Sequence, residues 1–246
     1  MKFNTKTIHG GQIKEKAYGA VMPPIYQTST YSQKSPGEHS GYEYSRTQNP
    51  TRHALERSIA SLENAKYGLA FSSGLSAIDA IMKLFSPGDE IISTNDLYGG
   101  SYRLFEKVFK KFGLKFVFTD LRNLNEIENL ISSKTKLIWV ETPTNPMINI
   151  VDIEDLSKIC KTNNVLLAVD NTFSTPFLQK PIDLGADIVV CPRVTDAAVV
   201  IGPAAWKFNW ERDNFDALAG ALAAGHIIEC GCQATGGNYS FFKEVP

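Results

Sequence analysis

The sequence predicts an α/β fold with a mainly parallel sheet, and three observations carry that expectation. Short apolar runs of strand length alternate along the chain with stretches whose apolar residues recur at helical spacing. Several of these runs stop at small, polar or proline-containing turns, where a strand would bend into the next helix. The chain has 246 residues, 43% hydrophobic and 21% charged, enough to bury a core as one large domain or one domain plus a smaller unit.

Taken in order, residues 17–52 are rich in Pro, Gly, Ser, Thr and Tyr and keep no helical or strand period, so they predict an extended arm packed on something else. From Thr51, the spacing of Leu55, Ile59 and Leu62 predicts a helix, followed by a short buried strand at Lys66–Phe71. Ser72-Ser73-Gly74 ends that run. Leu75, Ile78, Ala80, Ile81, Leu84 and Phe85 then predict a second helix, closed by Ser86-Pro87-Gly88. Further strands are expected at Glu90–Ser93, Leu114–Phe118, Leu137–Val140, Val165–Val169 and Ile188–Val190, with helices at 101–112, 124–131 and 152–162. Beyond these the tail reads as a small-residue segment at 196–205, a helix at about 212–229 and a Gly-rich end.

Composition narrows the function classes. Lys and Arg number 25 against 26 Asp and Glu, a formal net charge of −1, so no overall field favours nucleic acid or an acidic membrane surface. No apolar run reaches the roughly 20 residues of a spanning helix, and the N-terminus carries no leader pattern. Cys160, Cys191, Cys230 and Cys232 are too few and too uneven for a disulfide framework. The expectation is a soluble, cytoplasmic chain with reduced thiols and a small-molecule partner.

Ligands of parallel sheets sit beyond the carboxyl ends of the strands. Five such places stand out: Ser72–Gly74, Asn95–Gly100, Glu141–Pro146, Asp170–Thr172, and whatever follows Val190. Ser72-Ser73-Gly74 opens a helix, where free N–H groups and the dipole suit a phosphate, although an ordinary N-cap reads the same way. Asp170 ends an apolar run and needs a cationic partner if it is buried; a protonated pyridine nitrogen is one, and a turn-capping role is the alternative. Tyr98 before Gly99-Gly100 suits stacking on a planar ligand, or a core tyrosine beside a turn. Two prolines stiffen the turn that presents Asn145, as donor to a ring oxygen or as part of a rigid loop. Tyr44-Ser45-Arg46 sets a guanidinium beside a phenol, a grip for phosphate or a surface pair.

In order and wording, the chain from Thr5 to Val190 resembles the Cys/Met-metabolism enzymes that use pyridoxal 5'-phosphate (PLP), the cystathionine γ-synthase and γ-lyase type. The resemblance rests on Pro23-Pro24-Ile25-Tyr26, Tyr44-Ser45-Arg46, Asn49-Pro50-Thr51, Phe71–Gly74, Asp96–Gly100, Glu141–Pro146 and Val169–Phe173. It implies the large domain of a fold-type I PLP-dependent transferase. It also implies that Ser73, Gly74 and Leu75 surround the phosphate and that Tyr98 stacks on the ring and serves catalysis. Asp170 would pair with the pyridine nitrogen, with Asn145 and Thr172 nearby. Tyr44 and Arg46 would reach the phosphate of a neighbouring subunit in a homo-oligomer. The implied chemistry is C–S bond cleavage or formation on cystathionine, an activated homoserine or a related amino acid.

The pattern breaks after Val190. The family continues into a His/Cys-Ser-x-Thr-Lys stretch whose lysine forms the Schiff base; here the residues are Cys191-Pro192-Arg193-Val194-Thr195. Threonine stands in the lysine position and supplies no amine. The nearest lysines, Lys180 and Lys207, lack the strand-end placement and flanking residues of the motif. The family's C-terminal domain, with its arginine for the substrate carboxylate, is not recognisable either. From about Gly185 the wording resembles the acyclic terpene utilisation (AtuA-like) family, through Arg193–Ala198, Ile201-Gly202-Pro203, Ala224-Gly225-His226, Glu229-Cys230-Gly231 and Ala234–Tyr239.

These readings predict a hybrid chain: residues 1–60 as arm and first helix, 61–190 as a truncated PLP-binding portion, and 191–246 as a foreign, α-rich tail. Turnover is expected to be severely impaired. The alternatives are a non-catalytic PLP or phosphate binder and a terpene-catabolic function carried by the tail. His226, Cys230 and Cys232 are spaced four and two apart, but no fourth ligand is evident, and the expectation is packing and no metal.

Overall fold

The computed structural model describes residues 1–145, 147–191, 200–211 and 213–230. The chain divides into two compact units, Met1–Cys191 and Pro192–Pro246.

The first unit is an α/β layer built on five parallel strands: β3 (Glu90–Thr94), β4 (Lys115–Thr119), β5 (Thr135–Glu141), β6 (Leu166–Asp170) and β7 (Ile188–Val190), in the order β4-β3-β5-β6-β7. Both faces are covered, which is why the strands read as continuous apolar runs. Along β5, Ile138 and Val140 pack with Ile127, Ile153, Leu156 and Leu167, whereas Leu137 and Trp139 pack with Ile78, Met82, Phe105 and Ala168. The first group comes from α5 (Leu124–Leu130) and α6 (Ile153–Asn163); the second face carries α3 (Gly74–Met82) and the helix that starts at α4 (Gly99–Arg103). Asn123 and Asp152 cap α5 and α6 by accepting a backbone N–H three residues on.

Before the sheet come α1 (Phe3–His9), a short hairpin of β1 (Gln33–Ser35) and β2 (Glu38–His39), and α2 (Pro50–Glu63). α1, which the sequence pattern did not signal, is tied to α2 by Lys6, whose ammonium donates to the Ser61 carbonyl and to Asn64 Oδ1. Proline at its first position and the Asn49 side chain on the Thr51 N–H start α2. The segment between the bridge Thr30–Tyr44 and the hairpin is otherwise irregular.

Two expectations need correction. Lys66–Phe71 is not a strand. Its backbone is held by α2: the Ala70 N–H donates to Glu56 Oε1 at 3.1 Å, and Gly68 lies so close that a Cβ would stand 2.2 Å from the Glu56 carbonyl oxygen. Tyr67, Leu69 and Phe71 are left exposed. The expected helix at 101–112 is helical from Gly99, but turns π at Leu104–Val108 and 3₁₀ at Phe109–Phe112. Phe105 and Phe109, four residues apart, both reach the core under the sheet.

A short α7 (Thr175–Leu178) links β6 toward β7. In the second unit, α8 (Ile201–Phe208) and α9 (Phe215–Cys230) are helical, so the small-residue stretch continues into a helix the sequence pattern did not signal. Cys232 and the Gly-rich end lie outside the described residues, as do the side chains of His226 and Cys230. Among the described residues no group of three His, Cys, Asp or Glu is placed to hold a metal, and no helix is long and apolar enough to cross a membrane.

Candidate functional site

The site is assembled at the carboxyl edge of the sheet, on the face that carries α3 and α4. Leu137, Trp139 and Ala168 point to that face, and side chains alternate along a strand, so Glu141 and Asp170 leave from it too. The two are register partners on adjacent strands. Both carboxyls are withdrawn from water, at 5% and 7% exposure.

Asp170 is held by its own turn: Oδ1 accepts from the Thr172 hydroxyl and from the Thr172 N–H at 3.0 Å. No hydrogen bond to Oδ2 is made among the described residues. Burial pushes the Asp170 carboxyl above its usual range, and the Thr172 bonds only partly oppose this. Glu141 is pushed up to about 8, first by burial, then by the neighbouring Asp170 and Asp96 charges, against a bond from the Tyr98 N–H. Two buried carboxyls side by side, with no cation paired to either among the described residues, make a site that favours a proton or a bound cation.

Ser73 begins α3 in extended conformation and exchanges a capping box with Ser76: its hydroxyl accepts the Ser76 N–H at 3.1 Å, and its own N–H donates to Ser76 Oγ at 3.0 Å. The Gly74 and Leu75 amides make no hydrogen bond among the described residues, and a Cβ on Gly74 would meet nothing within 4 Å. Those amides stand unbonded at the positive end of a helix, an arrangement that suits an anion.

Tyr98 enters α4 with its N–H donating to Glu141 Oε2 at 2.7 Å. Asn145 lies in the turn after β5. Asp96 fastens that turn, accepting from the Thr144 hydroxyl, the Met147 N–H at 3.2 Å and Asn149 Nδ2 at 3.3 Å. On the other side of β6, Asn171 joins Gln179, Glu63 and, through Gln179, the Thr142 carbonyl, so the ends of β5 and β6 are tied together. Glu63 is almost fully buried and is raised chiefly by desolvation; the Cys191 thiol also donates to it.

The structure thus brings Thr172 onto Asp170 and sets Tyr98 one strand away through Glu141, while Ser73, Gly74 and Leu75 open the helix packed on the same face of the sheet. Tyr44 and Arg46 pair with each other in the arm, Nη2 to hydroxyl at 3.2 Å with the guanidinium 5.0 Å from the ring centroid. No described hydrogen bond joins them to Ser73 or Asp170. Lys180 lies 5.4 Å from the Phe3 ring centroid, and Lys207 belongs to the other unit. Thr195 lies outside the described residues. Ser76 had received no role from the sequence, and Asp96 and Glu141 had been placed in candidate turns without individual roles. Glu141 carried the same signal as Asp170, a carboxylate closing an apolar run, and Ser76 sits at the capping-box spacing.

The family model for Cys/Met metabolism PLP-dependent enzymes matches residues 4–193. The chain belongs to this family. The sequence is 51% identical over 187 residues to a cystathionine β-lyase of Coxiella burnetii, covering 76% of this chain and 48% of that protein. It is 50% identical over 190 residues to a cystathionine γ-lyase of Bacillus subtilis, covering 77% and 50%. Among solved structures, cystathionine γ-lyase from Lactobacillus plantarum complexed with L-serine matches with a TM-score of 0.75 and 42% identity, over 92% of this chain and 60% of that one. The chain spans about half the length of these curated relatives. A second model, the acyclic terpene utilisation family protein AtuA, matches residues 178–246, so the two matches overlap at 178–193. The PLP-family match stops two residues short of Thr195.

Proposed function

We propose that this member of the PLP-dependent family holds PLP without covalent attachment, in the site of a C–S lyase or synthase of trans-sulfuration, and that its turnover is severely lowered. The observation that carries the reading is Asp170: a buried carboxylate at a strand end, with one oxygen committed to Thr172 and the other uncommitted among the described residues. A pyridinium N–H is the cation its surroundings fit. The phosphate fits the Gly74 and Leu75 amides with the Ser73 hydroxyl, and Tyr98, half exposed, offers a ring for stacking. Asn145 supplies an amide toward the ring oxygen.

When bound, PLP supplies an electron sink for amino-acid substrates such as cystathionine or an activated homoserine. This chain's residues bind and orient it: Asp170 keeps the ring nitrogen charged, Thr172 fixes the Asp170 rotamer, and the start of α3 anchors the phosphate. In the sequence, threonine stands at position 195 where the family has its lysine, and a hydroxyl can neither form an imine nor take up the α-proton as an amine does.

Two further features support the assembly part of the reading. Tyr44 and Arg46 bond to each other and sit on an arm that exposes Tyr18, Val21 and Ile25, so they suit the phosphate of a neighbouring copy in a homo-oligomer. The overlap of the two family matches supports a hybrid chain joined at 178–193, with 1–60 as arm and first helix, 61–190 as the cofactor-binding portion and 191–246 as the tail. Titrating the full chain with PLP tests the function. Saturable binding that dialysis reverses and that D170N weakens supports it; absence of binding refutes it.

A further inference from the structure

Glu141 takes no part in the reading above, yet its carboxyl is the side-chain group bonded to the Tyr98 backbone. We infer that Glu141 is a positioning residue: with Gly100, it sets the Tyr98 ring as one wall of the cofactor site. The inference rests on the proposed PLP reading.

Three observations carry it. Tyr98 is the N-cap residue of α4 and has no side-chain cap of its own, so the Glu141 carboxyl at 2.7 Å is what holds the chain as it turns from Leu97 into the helix. The ring then folds back over Gly100: a Cβ there would lie 2.3 Å from Tyr98 Cε1 and 2.9 Å from Cζ, distances that no side chain tolerates. With one side of the ring against Gly100 and the residue 46% exposed, the opposite side is open to a ligand. Finally, Glu141 is the register partner of Asp170, one strand spacing away, about 4.8 Å. The wall and the partner of the ring nitrogen are therefore set by one strand pairing and move together.

A purely structural Glu141 would affect every ligand of the site alike, whereas a positioning role acts on the flat ring. The test uses the full chain, with PLP and inorganic phosphate as probes, the first followed by absorbance and the second by phosphorus NMR. E141A and G100A are expected to weaken PLP by about tenfold or more while phosphate affinity stays within about twofold. E141Q keeps an acceptor for the Tyr98 N–H and is expected to bind PLP like wild type. Equal loss of both probes in E141A, unchanged PLP affinity in E141A and G100A, or failure of E141Q to rescue would each overturn the inference. If E141A melts before binding is measured, G100A and E141Q decide. A wild-type chain that binds no PLP refutes the PLP reading itself, a result distinct from an E141A variant that binds as well as wild type.

Discussion

Replacing Glu141 by glutamine should change how the stability of the first unit depends on pH. In the unfolded chain the glutamate releases its proton near 4.5; in the fold, burial and the Asp170 and Asp96 charges hold that proton to about 8. Between those values the folded state binds more protons than the unfolded one, so the unfolding free energy falls as pH rises and levels off above about 8. At about 1.4 kcal/mol per pH unit, the interval corresponds to about 5 kcal/mol, comparable with the whole stability of a small domain. Asp170 and Glu63, also raised by burial, add to the decline in the same direction. E141Q keeps the acceptor for the Tyr98 N–H but carries no titrating proton, so its stability should fall less. Urea unfolding of wild type and E141Q at a series of pH values measures this directly. The variant should gain on wild type by about 3–4 kcal/mol from pH 5 to pH 8. Parallel curves for the two proteins would show that Glu141 is not a buried, proton-holding carboxyl, and the argument from desolvation at the sheet edge would fail.

Other predictions follow from the same geometry. D170N removes the charge that faces the ring nitrogen while leaving an oxygen for Thr172. PLP affinity should drop by about 2–4 kcal/mol, read by absorbance titration. Ile138→Ala opens a cavity beside Leu156 and Leu167 at a fully buried position, and should cost about 2–4 kcal/mol in urea unfolding. Arg46→Ala should weaken PLP binding only if copies assemble. Dilution monitored by light scattering would then weaken the wild type in parallel, and an affinity independent of protein concentration would argue against a site shared between subunits.

The sheet was the most legible part of the chain. Leu137–Val140 and Leu167–Val169 are apolar on both faces because helices cover both, and such runs announce themselves without a partner to compare. Asp170 was legible for a related reason: a carboxylate closing an apolar run stands out as an unmet electrostatic demand. Glu141 closes its run in the same way, but its role depends on the backbone N–H of Tyr98, forty-three residues away, and no local pattern reports a contact of that separation. Lys66–Phe71 misled for the opposite reason. Its apolar residues have strand spacing, but the backbone partners lie on the side of α2, through Glu56, and not in a neighbouring strand. The π turn at Leu104–Val108 was likewise hidden, since its apolar residues repeat at a spacing that an ordinary α-helix satisfies as well. α1 has no side-chain N-cap and stands through Lys6 on α2, a tertiary contact that sequence spacing does not reveal.

The central claim is a cofactor cradle without its lysine. The measurement that meets it most directly is addition of PLP to the purified full chain, borohydride reduction, and peptide mapping of every lysine. The account predicts stoichiometric PLP binding before reduction, full release on dialysis, and no lysine modified in proportion to the bound cofactor. Stoichiometric modification of one lysine, Lys180 or Lys207 included, would contradict it and show that another amine has taken over the position that Thr195 leaves without one.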